Sequence, residues 1–298
     1  MPPRPKRQAA TRIPQASDFD HLGKQHPPLH VSLVFPEVVE TTTSIMILFH
    51  GLGDSEVSFA GLARNLKLPG VLAIAVRGVE PLPPALLGLP PDVAAGVGDG
   101  TRHFHWGDDL DMDPSTGELD PDPGFDKAKR AVLDGLVFDT LVGKLGWRTE
   151  DMLLFGFGQG GSLALGLASR LRDPEGISDA RVVDVTEGDP QAQKREEGEE
   201  MTAFKGVVSI GGPLPPSMVP SLSSREKART PVLVCHGRNS EVVDEDAMEF
   251  IRKEIRDVRE VKWTKGRSSG DDGMPRNREE MLPIMQFLAE RLASDQWS

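Results

Sequence analysis

The apolar positions of this chain fall in short blocks, and the spacing inside the blocks switches between two habits. Ile45–Phe49, Val71–Val76, Leu153–Phe155, Val207–Ile210 and Val232–Cys235 are continuous apolar runs. Runs of that length, closed off by turn residues, are how strands buried on both faces read. Val258–Trp263 adds a last strand. Val31–Val39 reads as an edge strand, because Pro36 cannot donate to a hydrogen-bond ladder. Between the strands the spacing becomes helical. Phe59, Leu62, Ala63 and Leu66 share one face, as do Ala128, Val132, Leu136 and Leu141. Further helices are predicted from the glycine cluster at 158–161 to about Leu171, over Asp244–Asp257, and over Asn277–Leu292. Strands alternating with helices predict an α/β fold, a mostly parallel sheet covered by helices on both faces. Crossovers in such sheets are right-handed, and ligands bind at the carboxyl ends of the strands.

Three stretches break the pattern. Residues 1–28 contain Pro and Gln without periodicity and are expected to form a disordered arm, which leaves 29–298 as one domain. Residues 78–123 are a long connection rich in Pro, Gly and Asp. A loop of that length inside a compact domain is functional or disordered. Residues 173–202 are charged, ending Lys194-Arg-Glu-Glu-Gly-Glu-Glu200, and read as a solvated insertion.

Composition narrows the function classes. A chain of 298 residues that is 38% hydrophobic can bury a proper core. Its net charge of −12 argues against generic nucleic-acid binding, which needs basic surface. The lone cysteine, Cys235, permits no internal disulfide and fits a reducing compartment. The start is basic but lacks the apolar core of a secretory signal, and no apolar run approaches a membrane span. A cytoplasmic protein without a transmembrane segment is therefore expected.

The chemistry sits in glycine-rich turns after the apolar runs. In chain order these are His50-Gly-Leu-Gly-Asp-Ser55, Gly156-Phe-Gly-Gln-Gly-Gly161, Gly206-Val-Val-Ser-Ile-Gly-Gly212 and Cys235-His-Gly237. The set resembles the phospholipase/carboxylesterase family of α/β-hydrolases, which includes the acyl-protein thioesterases, from about Ser44 to Leu292. The resemblance implies the α/β-hydrolase fold and acyl transfer from esters or thioesters. In that chemistry a serine on a sharp strand-to-helix turn attacks, a histidine takes its proton and an acid orients the histidine.

Carried over residue by residue, the resemblance places the nucleophile at Gly158, the acid at Ser240 in His236-Gly-Arg-Asn-Ser-Glu241, and the histidine at or near Met274 in Gly270-Asp-Asp-Gly-Met-Pro-Arg276. All three triad positions are then substituted, and the last histidine of the chain is His236. Asp271 and Asp272 could stand in for an acid, but an acid without a histidine does little. Loss of the nucleophile or the base alone costs on the order of a million-fold in a serine protease. The backbone donors of an oxyanion hole survive such substitution, and the resemblance places them at Leu52 and Gln159. His50, His103, His105 and Trp106 are expected around the pocket, His50 as a hydrogen-bonding support. Ser162 is a weak candidate for a displaced nucleophile, since it lies a turn into the helix. Cys235 ends a buried strand without a base. The acidic run Asp108–Asp113 fails the EF-hand spacing, so neither metal nor cofactor is expected.

Three functional readings follow. One is a catalytically impaired hydrolase-like protein that keeps a pocket for an acyl or small carbonyl ligand, or for a protein partner. Another is an active ester or thioester hydrolase with a relocated nucleophile or an activated water. The plainest is an interaction protein whose pocket is filled by its own side chains.

Overall fold

The computed structural model describes residues 11–83, 86, 103–110, 120, 122–172, 203–221, 226–263 and 272–293. Seven strands form the central sheet: β1 (Val31–Val34), β2 (Ser44–Phe49), β3 (Val71–Val76), β6 (Met152–Phe157), β7 (Gly206–Ile210), β8 (Val232–Gly237) and β9 (Val258–Trp263). Their order is β1-β3-β2-β6-β7-β8-β9. Every pairing is parallel except that of β1 with β3. The short strands β4 (Glu80–Pro81) and β5 (Phe104–His105) pair antiparallel outside this sheet. The helices are α1 (Glu56–Leu66), α2, α3 (Gln159–Arg170), α4 (Glu245–Glu254) and α5 (Arg278–Ala293). Helix α2 starts as an α-helix over Asp126–Lys129 and continues with a wider π winding over Arg130–Lys144.

Alternation along the strands divides the core in two. Ile45, Ile47 and Phe49 of β2, with Leu72, Ile74 and Val76 of β3, face a cluster built with α2, α3 and α4. Their neighbours Met46 and Leu48, with Val71, Ala73 and Ala75, face the other cluster, built with α1 and α5. Both sets are apolar because both faces are covered, which is why these strands read as unbroken runs. The mostly parallel α/β arrangement expected from the sequence is therefore the one observed.

Two expectations change. Strand β1 ends at Val34, ahead of Pro36, and Val39–Thr41 turns as a short 3-10 helix. Residues 11–28, expected as part of a disordered arm, are packed instead. Phe19 and Leu22 are buried, as is Leu29 just beyond. Arg12 N–H donates to Leu145 O at 2.9 Å, and Trp147 Nε1 donates to Arg12 O at 3.0 Å. Isolated apolar residues without a period give no signal in sequence, yet here they join the core cluster that α2 lines. Residues 1–10 and the charged insertion at 173–202 lie outside the described residues.

Candidate active site

Strand β6 ends at Phe157, and helix α3 begins at Gln159, so Gly158 alone makes the turn. Its backbone, φ 52° and ψ −123°, lies where an L side chain is strained. The turn is held from both sides: Gly158 N–H donates to Ile210 O of β7 at 2.8 Å, and Ser162 N–H donates to Gly158 O at 3.0 Å. Gly156 and Gly160 pass so closely that a Cβ on either would overlap backbone, of Gly160 in the first case and of Phe49 and His50 in the second. At Gly158 itself the space is open. A Cβ there would meet nothing nearer than Gly51 Cα, 3.9 Å away.

Gly51 belongs to the turn after β2, and a Cβ on it would lie 2.8 Å from the Phe157 ring. The two turns therefore face each other. Leu52 and Gln159 each follow one side of this contact, and the Leu52 side chain is 40% exposed. Gln159 also opens α3, where the first N–H groups of a helix have no intrahelical partner. The turn after β2 is braced by the 103–106 stretch. Gly53 N–H donates to Phe104 O, Phe104 N–H to Asp54 O, and His103 Nδ1 lies 2.7 Å from Gly53 O. Trp106, fully buried, donates its Nε1–H to His50 O and its backbone N–H to the side-chain Oε1 of Gln159, both at 2.8 Å.

The histidines have specific partners. His50 Nε2 accepts from Gly78 N–H at 2.8 Å, which fixes the tautomer with a proton on Nδ1, 2.7 Å from Gly51 O. Burial holds its pKa below the ordinary imidazole value, so the ring is a neutral brace between the ends of β2 and β3. His105 is likewise pushed down by burial, and its Nδ1 has no hydrogen-bond partner among the described residues. His236 points to β9, with Nε2 3.0 Å from Glu260 Oε1 and Nδ1 2.9 Å from Gly237 O.

Ser240, the position expected for the acid, has a carboxylate as its neighbour. Ser240 donates its hydroxyl to Asp272 Oδ2 at 2.6 Å, and Asp272 Oδ1 accepts from Gly237 N–H at 2.7 Å. Met274, expected at the base's place, packs against the apolar cluster on the α1 and α5 face. The residue brought to Ser240 is thus Asp272.

A sharp glycine turn between a central parallel strand and a buried helix, faced by a second glycine turn, is the arrangement on which known structures can be compared. An acyl-protein thioesterase 2 of Zea mays superposes with a TM-score of 0.54 over 88% of this chain and 99% of that one, at 18% identity. The fold is that of an α/β-hydrolase. Residues 36–177 match the family described as Phospholipase/Carboxylesterase, and the chain resembles that family. An uncharacterized hydrolase of Schizosaccharomyces pombe is 34% identical over 125 residues, which are 41% of this chain and 44% of that protein. One of Mycosarcoma maydis is 33% identical over 127 residues, 41% of this chain and 40% of that protein. The match thus spans less than half the length of these curated relatives.

Within this fold the other candidates have structural surroundings. Ser162 is buried in α3. Burial pushes the Cys235 thiol up to about 12, which leaves almost no thiolate at neutral pH. Asp108, from the acidic run, accepts from the N–H groups of Asp126 and Lys127 and so caps the start of α2. Among the described residues no group of three or more His, Cys, Asp or Glu could hold a metal ion. No helix among them is long and apolar enough to cross a membrane. Sequence reasoning missed the Gln159 side chain as a link to Trp106 and the pairing of Ser240 with Asp272. Neither has a periodic signal; both are contacts between loops far apart in the chain.

Proposed function

We propose that this hydrolase-like chain binds an acyl or small carbonyl ligand beside Gly158 and does not turn it over at an ordinary serine-hydrolase rate. The observation that carries the reading is the glycine at the elbow, where the turn has φ 52° and ψ −123°, a Cβ would meet nothing nearer than Gly51 Cα at 3.9 Å, and no side-chain atom is present to attack. Acyl transfer by this route needs a hydroxyl oxygen that bonds to the carbonyl carbon while its proton passes to a base. Every histidine lies at or before position 236, so the loop before α5 supplies none. His50, His103 and His236 have ring nitrogens engaged by carbonyl groups, an N–H or a carboxylate. The N–H groups of Leu52 and Gln159 are the remaining parts suited to an oxyanion, and a helix N-terminus favours negative charge.

A fluorophosphonate probe is expected to leave the protein unlabelled, and fatty acids of graded length are expected to raise its melting temperature. Rapid labelling of any serine would overturn the claim of impairment. Absence of a thermal shift across the whole series would overturn the claim of an open ligand pocket. Hydrolysis by an activated water is the second reading, favoured by the buried, neutral His105 ring with its unpartnered Nδ1. It requires turnover of p-nitrophenyl esters above background that disappears when His103 and His105 are both replaced by alanine.

A further inference from the structure

The loop leading into α5 reaches back over the sheet. Asp272 takes the Gly237 N–H on one carboxylate oxygen and the Ser240 hydroxyl on the other, at 2.7 and 2.6 Å. Ser240 Oγ in turn accepts from Val243 N–H at 2.7 Å, so the hydroxyl is oriented from both sides. Gly211, just past β7 and at φ +64°, makes room for this loop: a Cβ there would lie 2.9 Å from both Cβ and O of Asp272. The next residue, Gly212, passes so near Gly158 O and Ser162 N that a Cβ would overlap both. Three segments therefore meet at Asp272, the turn after β8 at its carboxylate and Gly211 at its Cβ and main-chain O, and the end of β7 carries that junction to the elbow.

In the arrangement implied by the resemblance, a carboxylate on the turn after β8 would face a hydrogen-bond donor on the loop before α5. Here the chemistry is exchanged: the turn carries the hydroxyl donor and the loop carries the carboxylate. We propose that Ser240 and Asp272 form a latch that replaces an acid–imidazole bridge, and that Asp272 is a positioning residue for the Gly158 elbow. A carboxylate suits this task because it accepts two bonds at once, and bonds to an ionised acceptor are shorter and stronger than neutral ones. Met274 offers no comparable acceptor and packs with apolar neighbours. The latch also marks position 272, not 274, as the point where an imidazole would meet a carboxylate placed at 240. The inference uses the same site as the proposed function but does not depend on any ligand being bound.

Hydrogen exchange on the full chain tests the coupling, with S240A, D272A and the double variant. Amides of 158–162 and 237–243 are expected to exchange about tenfold faster in each single variant, and no faster in the double than in the quicker single, because both changes open one junction. Unchanged exchange at 158–162, or effects that add, would overturn the latch. A second measurement survives if the alanine variants fail to fold. The triple variant G158S/S240D/D272H retains a bridge and supplies a nucleophile, so it is expected to react with a fluorophosphonate at least about tenfold faster than G158S/S240D/M274H. Equal or faster labelling of the Met274 variant would overturn the assignment of position 272. Failure of the fatty-acid thermal shift with both results intact would remove the ligand reading and leave the latch standing.

Discussion

At Gly158 the backbone and the side chain make separate demands. A Cβ there would clear its neighbours, the nearest being Gly51 Cα at 3.9 Å, while φ 52° makes any L side chain strained. Gly158→Ser is therefore expected to fold, to lose about 1–3 kcal/mol of stability from the backbone term, and to stay at background with p-nitrophenyl acetate. Calorimetry and a colorimetric assay check the two halves. The sharp strand-to-helix turn was legible in the sequence because the G-x-G-x-G frame around it is local and its spacing rigid. The partner of Ser240 was not legible. Loop register has no period, and the hydrogen bond to Asp272 crosses 32 positions. Counting from the glycines of the 270–276 loop led to Met274, whereas the carboxylate two residues earlier is the group that reaches the turn.

Elements with two covered faces or a regular apolar stripe were readable from the sequence. All five continuous runs became strands of the central sheet, and the predicted helix over Asp244–Asp257 became α4, with Asp244 accepting from Ala247 N–H as its N-cap. The packed 11–28 segment was not, because its few anchors acquire meaning only against α2. Leu22→Ala is expected to cost about 2–5 kcal/mol in urea unfolding, where a disordered arm would be indifferent. Strand β9 carries a charge-dependent term as well. Burial alone would raise the pKa of Glu260, but hydrogen bonds from Lys262, His236 and Arg252 outweigh it and hold the carboxyl at about 2. A depressed carboxyl contributes stability in full above its ordinary value near 4.5, and that contribution is lost as pH falls toward 2. Glu260→Gln should therefore flatten the fall in urea midpoint between pH 5 and about 2.5, relative to the unsubstituted chain.

Across the whole molecule, the ends of α3 and α4 are tied by a buried ion pair. Arg172, just beyond α3, meets Glu254 at the end of α4 at 2.9 Å, with side chains 4% and 7% exposed. The guanidinium also donates to Ser169 O and Glu226 O. Arg172→Met strips the cation from a carboxylate that water cannot easily reach, and a loss of about 3–5 kcal/mol in chemical denaturation is expected. Fold class was readable at this scale because alternating runs and helices leave few arrangements, while the pair itself joins positions 82 apart.

The sheet stops at β9, which among the described residues pairs only with β8. A terminal strand has a row of unsatisfied amides on its outer flank, a template onto which another molecule could zip. Arg259 and Lys262 are exposed on this strand, so any second strand laid along it would have to strip water from their charges. Neutralising those two is expected to promote strand-to-strand association along this border.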